Sequence, residues 1–345
     1  MADPNQISFL ARVQRRLRYD WQSKFAPRWW HLNLHLRKPT IKRVLGFGGG
    51  LGDQLLCTAI FRALREHGEA NLWMQTNNPE LFAHNPDVAG IIPVMPYYFK
   101  IIEQHNMAFK RLNYTTHIKE QGRDLPPQQH LITNMASVLG IDYPVGVRPY
   151  LHLTAAERSQ HIISKPYIVV QSSILAARYP IATKEWYPER MQIVVNELAK
   201  RFTVVQLGMP SDPKLEHVLD LRGKASIRES AAILQAAQLF IGFVGFQMHL
   251  ARAVDCRSVI IFGGREAPFQ SGYSCNSNLY TPLNCAPCWL WENCPIERQC
   301  MQEITPEQVL AAVEAQLALV DQPLNVDYIK PRPAHELIEL EIHRA

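Results

Sequence analysis

Residues 41–68, IKRVLGFGGGLGDQLLCTAIFRALREHG, constrain this chain more than any other stretch. Val44-Leu45-Gly46-Phe47 is a short apolar run of the kind a buried strand shows. Gly48, Gly49, Gly50 and Gly52 follow as a turn; Leu55, Leu56, Ala59, Ile60, Ala63 and Leu64 then recur at helical spacing as far as Gly68. The stretch therefore reads strand, glycine turn, helix. Asp53 falls where the turn becomes the helix. Glycines at such a place let a ligand approach the backbone, and the unpaired N–H groups of the first helical turn attract anions. The helix dipole also stabilises an ionised acid there, which suits a base that must stay charged at neutral pH. The plainer alternative makes Asp53 a helix N-cap and the glycines a tight turn.

Two well-known phosphate signatures are excluded. The dinucleotide pattern G-x-G-x-x-G fails in every register, because the sixth position from Gly46, Gly48 or Gly50 is Leu51, Asp53 or Leu55. The second strand ends near Gln75-Thr76-Asn77, with no acid to hold a ribose. No Lys follows these glycines as a P-loop requires.

Beyond residue 41 apolar runs alternate with helical patterns. Strands are predicted near 42–47, 70–75 and 89–94, with helices near 53–67 and 127–139. After a proline-marked connector at 140–160, strands are predicted at 167–171, 202–207, 239–243 and 258–262, and helices at 185–201, 226–237 and 246–254. This is the β-α-β order of parallel sheets. The expected fold is α/β: two Rossmann-like domains with an interdomain cleft at their strand C-termini. The expected divisions are a leader at 1–40, a first domain at 41–150, a second at 151–325 and a C-terminal helix packing back at 326–345. A length of 345 residues suits about two domains. Residues 97–124 lack a clear period and carry Lys100, His105, Lys110, Arg111, Tyr114, His117, Lys119 and Arg123. Such a stretch suits an anionic acceptor, though solvated loops look similar.

The net charge of +5 is concentrated at one end: residues 1–43 hold ten Lys/Arg and two acids, so the remainder is slightly acidic. In the leader Leu10, Val13, Leu17 and Trp21 lie at helical spacing opposite arginines. That pattern fits a helix on an anionic membrane surface, and equally one packed against the body of the protein. No nucleic-acid module is recognisable, so nucleic acid is not an expected partner. No run approaches the ~18 apolar residues of a membrane span, and the N-terminus lacks the order of a secretory signal. A cytoplasmic chain with mostly reduced cysteines is expected. Cys285-x2-Cys288-x5-Cys294-x5-Cys300 has four soft ligands for zinc or iron, or else four thiols that stay reduced or pair as disulfides.

Four segments in register resemble glycosyltransferase family nine, the ADP-heptose:lipopolysaccharide heptosyltransferases. They are Gly50-Leu51-Gly52-Asp53-Gln54-Leu55-Leu56 with Thr58-Ala59; Lys184-Glu185-Trp186-Tyr187-Pro188-Glu189; Ile241-Gly242 with Met248-His249-Leu250-Ala251-Arg252-Ala253 and Phe262-Gly263; and the cysteine segment leading into Ile304-Thr305-Pro306-Glu307. The similarity runs from about residue 41 to 318. It implies a GT-B fold and inverting transfer of heptose or a related sugar from a nucleotide-diphosphate sugar, without a catalytic metal or required cofactor. The acceptor implied is a cell-envelope glycan or lipid-linked glycan, reached from the inner face of the bacterial inner membrane. It further implies that Asp53 is the general base, beside an acceptor-side loop with Gly50 and Gly52. Lys184, Ser172, Gly245, Phe246, Gln247, Met248 and His249 would then bind the donor and its phosphates. Read without the family, Lys184 is a surface lysine and His249 a core histidine. The chain departs from the pattern at Val244, Gly245 and Phe246, where the family carries Asp, Ser or Thr, and Gly. A protein-modifying transferase and a non-catalytic nucleotide-sugar-binding protein are the alternatives.

Overall fold

Alternating strands and helices require two faces to be covered, and this chain does so around parallel sheets. The computed structural model describes residues 32, 43–94, 103, 108–159, 163 and 166–333. The predicted leader helix, the end of the predicted C-terminal helix, Lys100 and His105 lie outside the described residues. Among the described residues no helix is long and apolar enough to cross a membrane.

The described chain falls into two compact units. The residues of the first fall within Met1–Gly46, Glu69–Asn77 and Val88–Arg111. They build a four-stranded sheet from β1 (Arg43–Phe47), β2 (Leu72–Gln75), β3 (Gly90–Ile92) and β4 (Ala108–Leu112), in the order β3-β2-β1-β4. The β1/β2 and β2/β3 pairs are parallel. The three predicted strands are thus present, trimmed at their ends, and β4 is added from the stretch read as irregular.

The second unit holds residues Phe47–Gly68, Asn78–Asp87 and Leu112–Ala345. Helix α1 (Leu51–Glu66) is the predicted one, and Gly68, in the left-handed region at φ 84°, stops it. Its periodic apolar positions are buried, and so are Gln54, Cys57, Thr58 and Phe61, so that it is enclosed around most of its circumference. A short antiparallel pair, β5 (His117–Ile118) and β6 (Arg123–Asp124), precedes α2 (Leu131–Val138). Strand β7 (Val145–Gly146) comes next and pairs with a segment near the end of the described chain.

The main sheet of this unit comprises β8 (Tyr167–Gln171), β9 (Thr203–Leu207), β10 (Leu219–Asp220), β11 (Leu239–Phe243), β12 (Ser258–Gly263) and β13 (Ser277–Tyr280). All neighbouring pairs are parallel, in the order β10-β9-β8-β11-β12-β13. Strands β8, β11 and β12 are buried throughout, as sheets covered on both faces require. Ile168, Val170, Ile241, Phe243, Val259 and Ile261 share one cluster with Trp186 and with the inner residues of α3 (Pro188–Leu198). The helices α4 (Ile227–Ala236), α5 (Phe246–Ala253) and α6 (Pro306–Leu317) complete the alternation. Helix α3 starts three residues later than predicted because Ala182–Lys184 forms a 3-10 turn and Pro188, lacking an N–H, opens the helix. Strand β14 (Tyr328–Ile329) lies antiparallel to β7, so the segment that follows α6 begins as strand.

Candidate active site

A sheet of this order reverses its direction of growth between β8 and β11, and the crevice beyond the strand C-termini at that point is where such folds bind ligands. Ser172 follows β8 and Val244-Gly245 follow β11, so the resemblance-derived donor segment sits at the reversal. Gly245 leads into α5 in extended backbone, and a Cβ there would have nothing within 4 Å. Unpaired amides in the first turn of a helix attract anions as a rule, and α5 begins at this point. Nearby, the Gln247 Oε1 is buried without a partner. Ser172 has a different situation. Its hydroxyl donates to the Pro213 carbonyl at 2.6 Å and accepts from Gln206 Nε2 at 2.8 Å, fully buried, so it pins a loop. Met248 is fully buried as well and serves the core.

Helix α1 meets α5 at a glycine. A Cβ on Gly52 would lie 3.1 Å from the His249 ring and 3.4 Å from the Phe246 Cα, so only a bare backbone allows this approach. One turn segment earlier, a Cβ on Gly49 would stand 2.2 Å from Asp53 Oδ2. The Gly-rich turn therefore makes room for the Asp53 carboxylate and for α5. Asp53 itself is not the N-cap of α1. Gly50 is, in extended backbone, and Asp53 sits three residues on, with Oδ2 accepting the Gly50 N–H at 2.7 Å.

The other carboxylate oxygen, Oδ1, accepts a hydrogen bond from the Tyr114 hydroxyl at 2.7 Å. The Tyr114 ring stacks on Phe47 at 5.6 Å, and its carbonyl accepts from Asn134 Nδ2 at 2.9 Å. Two donors, one on each carboxylate oxygen, thus orient Asp53. Burial raises its pKa above the ordinary aspartate value; the Tyr114 and Gly50 bonds and the charge of Lys184 work the other way. A carboxylate whose pKa is raised is a better proton acceptor than one in water.

Lys184 is not a surface lysine. Its side chain is 12% exposed and makes a direct ion pair with Glu266, itself 3% exposed. Although burial pushes it up, Lys184 and Arg265 hold the Glu266 carboxyl down to about 2. Burial lowers the Lys184 pKa, against the opposing pull of Glu266 and Asp53. Arg265 continues the chain, reaching Glu266 Oε1 at 2.6 Å and Asp124 Oδ2 at 3.0 Å, and Asp124 Oδ1 meets His117 Nδ1 at 2.9 Å. On the α5 side, His249 Nδ1 shares a 2.7 Å hydrogen bond with the Tyr273 hydroxyl. Burial drops the His249 pKa to about 3, so at neutral pH it is an uncharged imidazole. It is a buried histidine that touches α1, and can offer a phosphate hydrogen bonding but no charge.

The structure thus brings Asp53, Gly52, Lys184, Phe246 and His249 into one neighbourhood. It adds Tyr114, Arg265, Glu266 and Tyr273, whose roles the sequence reading missed. The only signal for Glu266 was position: it follows Gly263-Gly264 at the C-terminal end of a strand. Tyr114 stands in the 97–124 stretch singled out above, but its bond to Asp53 left no local signal, since the partner is 61 residues away.

The four clustered cysteines, Cys285, Cys288, Cys294 and Cys300, border one small cavity of about 70 Å³ together with Thr183, Gly264, Arg265 and Leu290. All seven cysteines are free thiols. Among the described residues no three His, Cys, Asp or Glu side chains are grouped so as to hold a metal ion.

Doubly wound parallel topology, with an acid and a lysine beside the strand ends, defines an α/β protein whose ligand crevice would lie at that reversal. No protein-family model and no curated protein matches the chain. Solved structures do. The iron-containing dodecameric glycosyltransferase TibC from enterotoxigenic E. coli superposes with a TM-score of 0.62 at 18% identity, over 80% of this chain and 77% of that one. A glycosyl transferase family 9 protein from Veillonella parvula gives 0.56 at 15% identity, over 80% and 97%. E. coli ADP-heptose lipopolysaccharide heptosyltransferase II gives 0.56 at 15% identity, over 80% and 98%. The structural neighbours are glycosyltransferases, and what this chain shares with them is the fold.

Proposed function

We propose that the protein is a glycosyltransferase of the GT-B kind that moves heptose, or a related sugar, from a nucleotide-diphosphate sugar to a cell-envelope acceptor. The observation that carries this is Asp53, its carboxylate held by Gly50 and Tyr114 beside the buried Lys184. An acceptor hydroxyl is too weak an acid to attack unaided at pH 7, and Asp53 takes its proton as the new bond forms. The departing nucleoside diphosphate gains negative charge, which Lys184 and the first-turn amides of α5 stabilise. Gly245, with open space beside it, lets the phosphates approach those amides. Transfer is inverting and uses no catalytic metal. One neighbour has been solved in complex with ADP-D-β-D-heptose, which supports an ADP-linked donor. The acceptor side, a lipopolysaccharide-type glycan, fits a cytoplasmic enzyme working at the inner membrane face.

A panel of nucleotide sugars tests this reading. ADP-heptose is expected to raise the thermal midpoint, and with an acceptor the protein is expected to release ADP. Stabilisation without release under all acceptors tried leaves a binding protein; no stabilisation by any nucleotide sugar removes the proposal.

A second reading concerns the four-cysteine cavity. Four thiols around one space form a soft donor set suited to zinc or iron. As they stand the side chains do not converge, so holding a metal requires them to turn inward. Such a metal would be structural, clamping the 285–300 loop. Elemental analysis of freshly purified protein decides between metal and plain thiols: about one zinc or iron per chain, lost when both Cys288 and Cys294 are replaced, assigns a structural metal. Metal-free protein with an unchanged melting profile assigns the four residues as plain thiols.

A further inference from the structure

Lys184 and Glu266 come from segments far apart in the chain, yet the residue before each of them bonds the same backbone oxygen. The Leu290 carbonyl accepts the Thr183 hydroxyl and also Arg265 Nε, the latter at 2.9 Å. Around it, the Thr183 N–H donates to the Trp291 carbonyl at 3.4 Å and the Trp289 N–H to the Arg265 carbonyl at 3.1 Å. Residues 289–291 therefore stitch Thr183-Lys184 to Arg265-Glu266. Arg265 fixes Glu266 Oε1 with its 2.6 Å bond, and its own guanidinium lies over the Trp289 ring at 4.7 Å. Glu266 is thus fixed by Arg265, and the same carboxylate oxygen, Oε1, also pairs with the Lys184 ammonium.

A lysine needs such a partner here. Its four-carbon stem is flexible and its ammonium is strongly hydrated in water, so burial favours both displacement and loss of the proton. The charged and titratable groups around Lys184 are Glu266 and Arg265 beyond β12, Asp53 on α1 and the neutral His249 on α5. Arg265 repels the ammonium, and the Asp53 carboxylate is already committed to Gly50 and Tyr114. Glu266 alone of these makes a direct ion pair with Lys184.

We propose that Glu266 is a positioning residue that keeps the Lys184 ammonium charged and in place to meet the donor diphosphate. This rests on the transferase reading for its ligand, though not for the pair itself. The competing assignment is that Glu266 only stabilises the fold.

Glu266→Gln in the full chain, with ADP as the probe, separates the two. ADP affinity is expected to fall about 10–100-fold, because a misplaced group costs on that order. The basic limb of kcat/KM against pH is expected to move down by about 1–3 units, because Lys184 loses the anion that favours its protonated form. Glu266→Asp, which retains the charge, should recover part of both effects. In a Lys184→Met background, Glu266→Gln should cost no further ADP affinity. Unchanged ADP affinity with an unmoved basic limb overturns the proposal, and so do fully additive losses in the double variant. If the single variant does not fold, Glu266→Asp and the double variant carry the comparison. A ligand-free readout completes the test. With lysines reductively methylated using ¹³C-formaldehyde and the Lys184 signal assigned by its loss in Lys184→Met, the Lys184 titration is expected to move to lower pH in Glu266→Gln. An unmoved titration sinks the pair whatever the ligand. Failure of the wild-type protein to bind ADP or any nucleotide sugar sinks the transferase reading instead, and leaves the titration to judge the pair.

Discussion

Asp53→Asn is expected to lower kcat for sugar transfer by about 10²–10⁴-fold, the range a positioned general base supplies. That corresponds to roughly 3–5 kcal/mol of transition-state stabilisation. The substitution keeps the shape and removes the charge. Asn Oδ1 can still accept the Gly50 N–H, and the Tyr114 hydroxyl can turn to accept from Nδ2, so both present partners are retained. What is lost in stability is the charge–dipole term at the helix start, about 0.3–1 kcal/mol. Release of nucleoside diphosphate and the thermal midpoint, measured side by side, check this. Turnover near the wild-type value in the variant would remove Asp53 from the chemistry. The pH dependence adds a second check. The base must be ionised to act, and burial raises the Asp53 pKa. Activity of the wild-type protein is therefore expected to be lost as pH falls, at a point above the ordinary aspartate value, and the Asn variant should lack that limb.

Trp186→Ala is expected to destabilise the protein by about 3–5 kcal/mol, as deletion of a large buried aromatic does. Trp186 is fully buried in the cluster formed by β8, β11, β12 and α3, and its Nε1–H donates to the Ile304 carbonyl at 3.2 Å. It stands two residues after Lys184, so the tryptophan of the Lys-x-Trp segment is the anchor and the lysine is what it anchors. Trp186→Phe should cost far less. It keeps most of the apolar contact, and the Ile304 carbonyl retains Arg190 Nη1 as a donor at 2.6 Å. Urea unfolding of the two variants tests the packing; equal midpoints for Ala and wild type would show that the ring carries no load. Loss of activity in Trp186→Phe at unchanged stability would place the ring in the site itself.

Much of the fold is legible without coordinates because it is written in local periods. The strands Tyr167–Gln171 and Leu239–Phe243 lie where the apolar runs place them, and α5 begins at Phe246 as predicted. Glycine content marks α1 at both ends. Other boundaries move for tertiary reasons. The helix predicted over 127–139 shrinks to Leu131–Val138 because His130 caps it, accepting the Ile132 N–H at 3.2 Å, while its other ring nitrogen meets the Gly272 carbonyl 142 residues away. The irregular 97–124 stretch was read for its cations, yet within its described part the residue that reaches Asp53 is Tyr114, an uncharged donor. Charge composition could not show this, because a hydroxyl leaves no mark on net charge.

By itself the sequence determined the alternation of elements, the glycine turn that clears space for an acid, and which residues are too apolar to face water. These follow from spacing along the chain, where neighbours in sequence are neighbours in space. Only the tertiary structure decided that Lys184 faces Glu266, that Tyr114 holds Asp53, and that the serine after β8 spends its hydroxyl on a loop. Each of those pairings joins residues more than thirty positions apart. Burial then makes each of them count, since a polar group removed from water must find its partner within the protein.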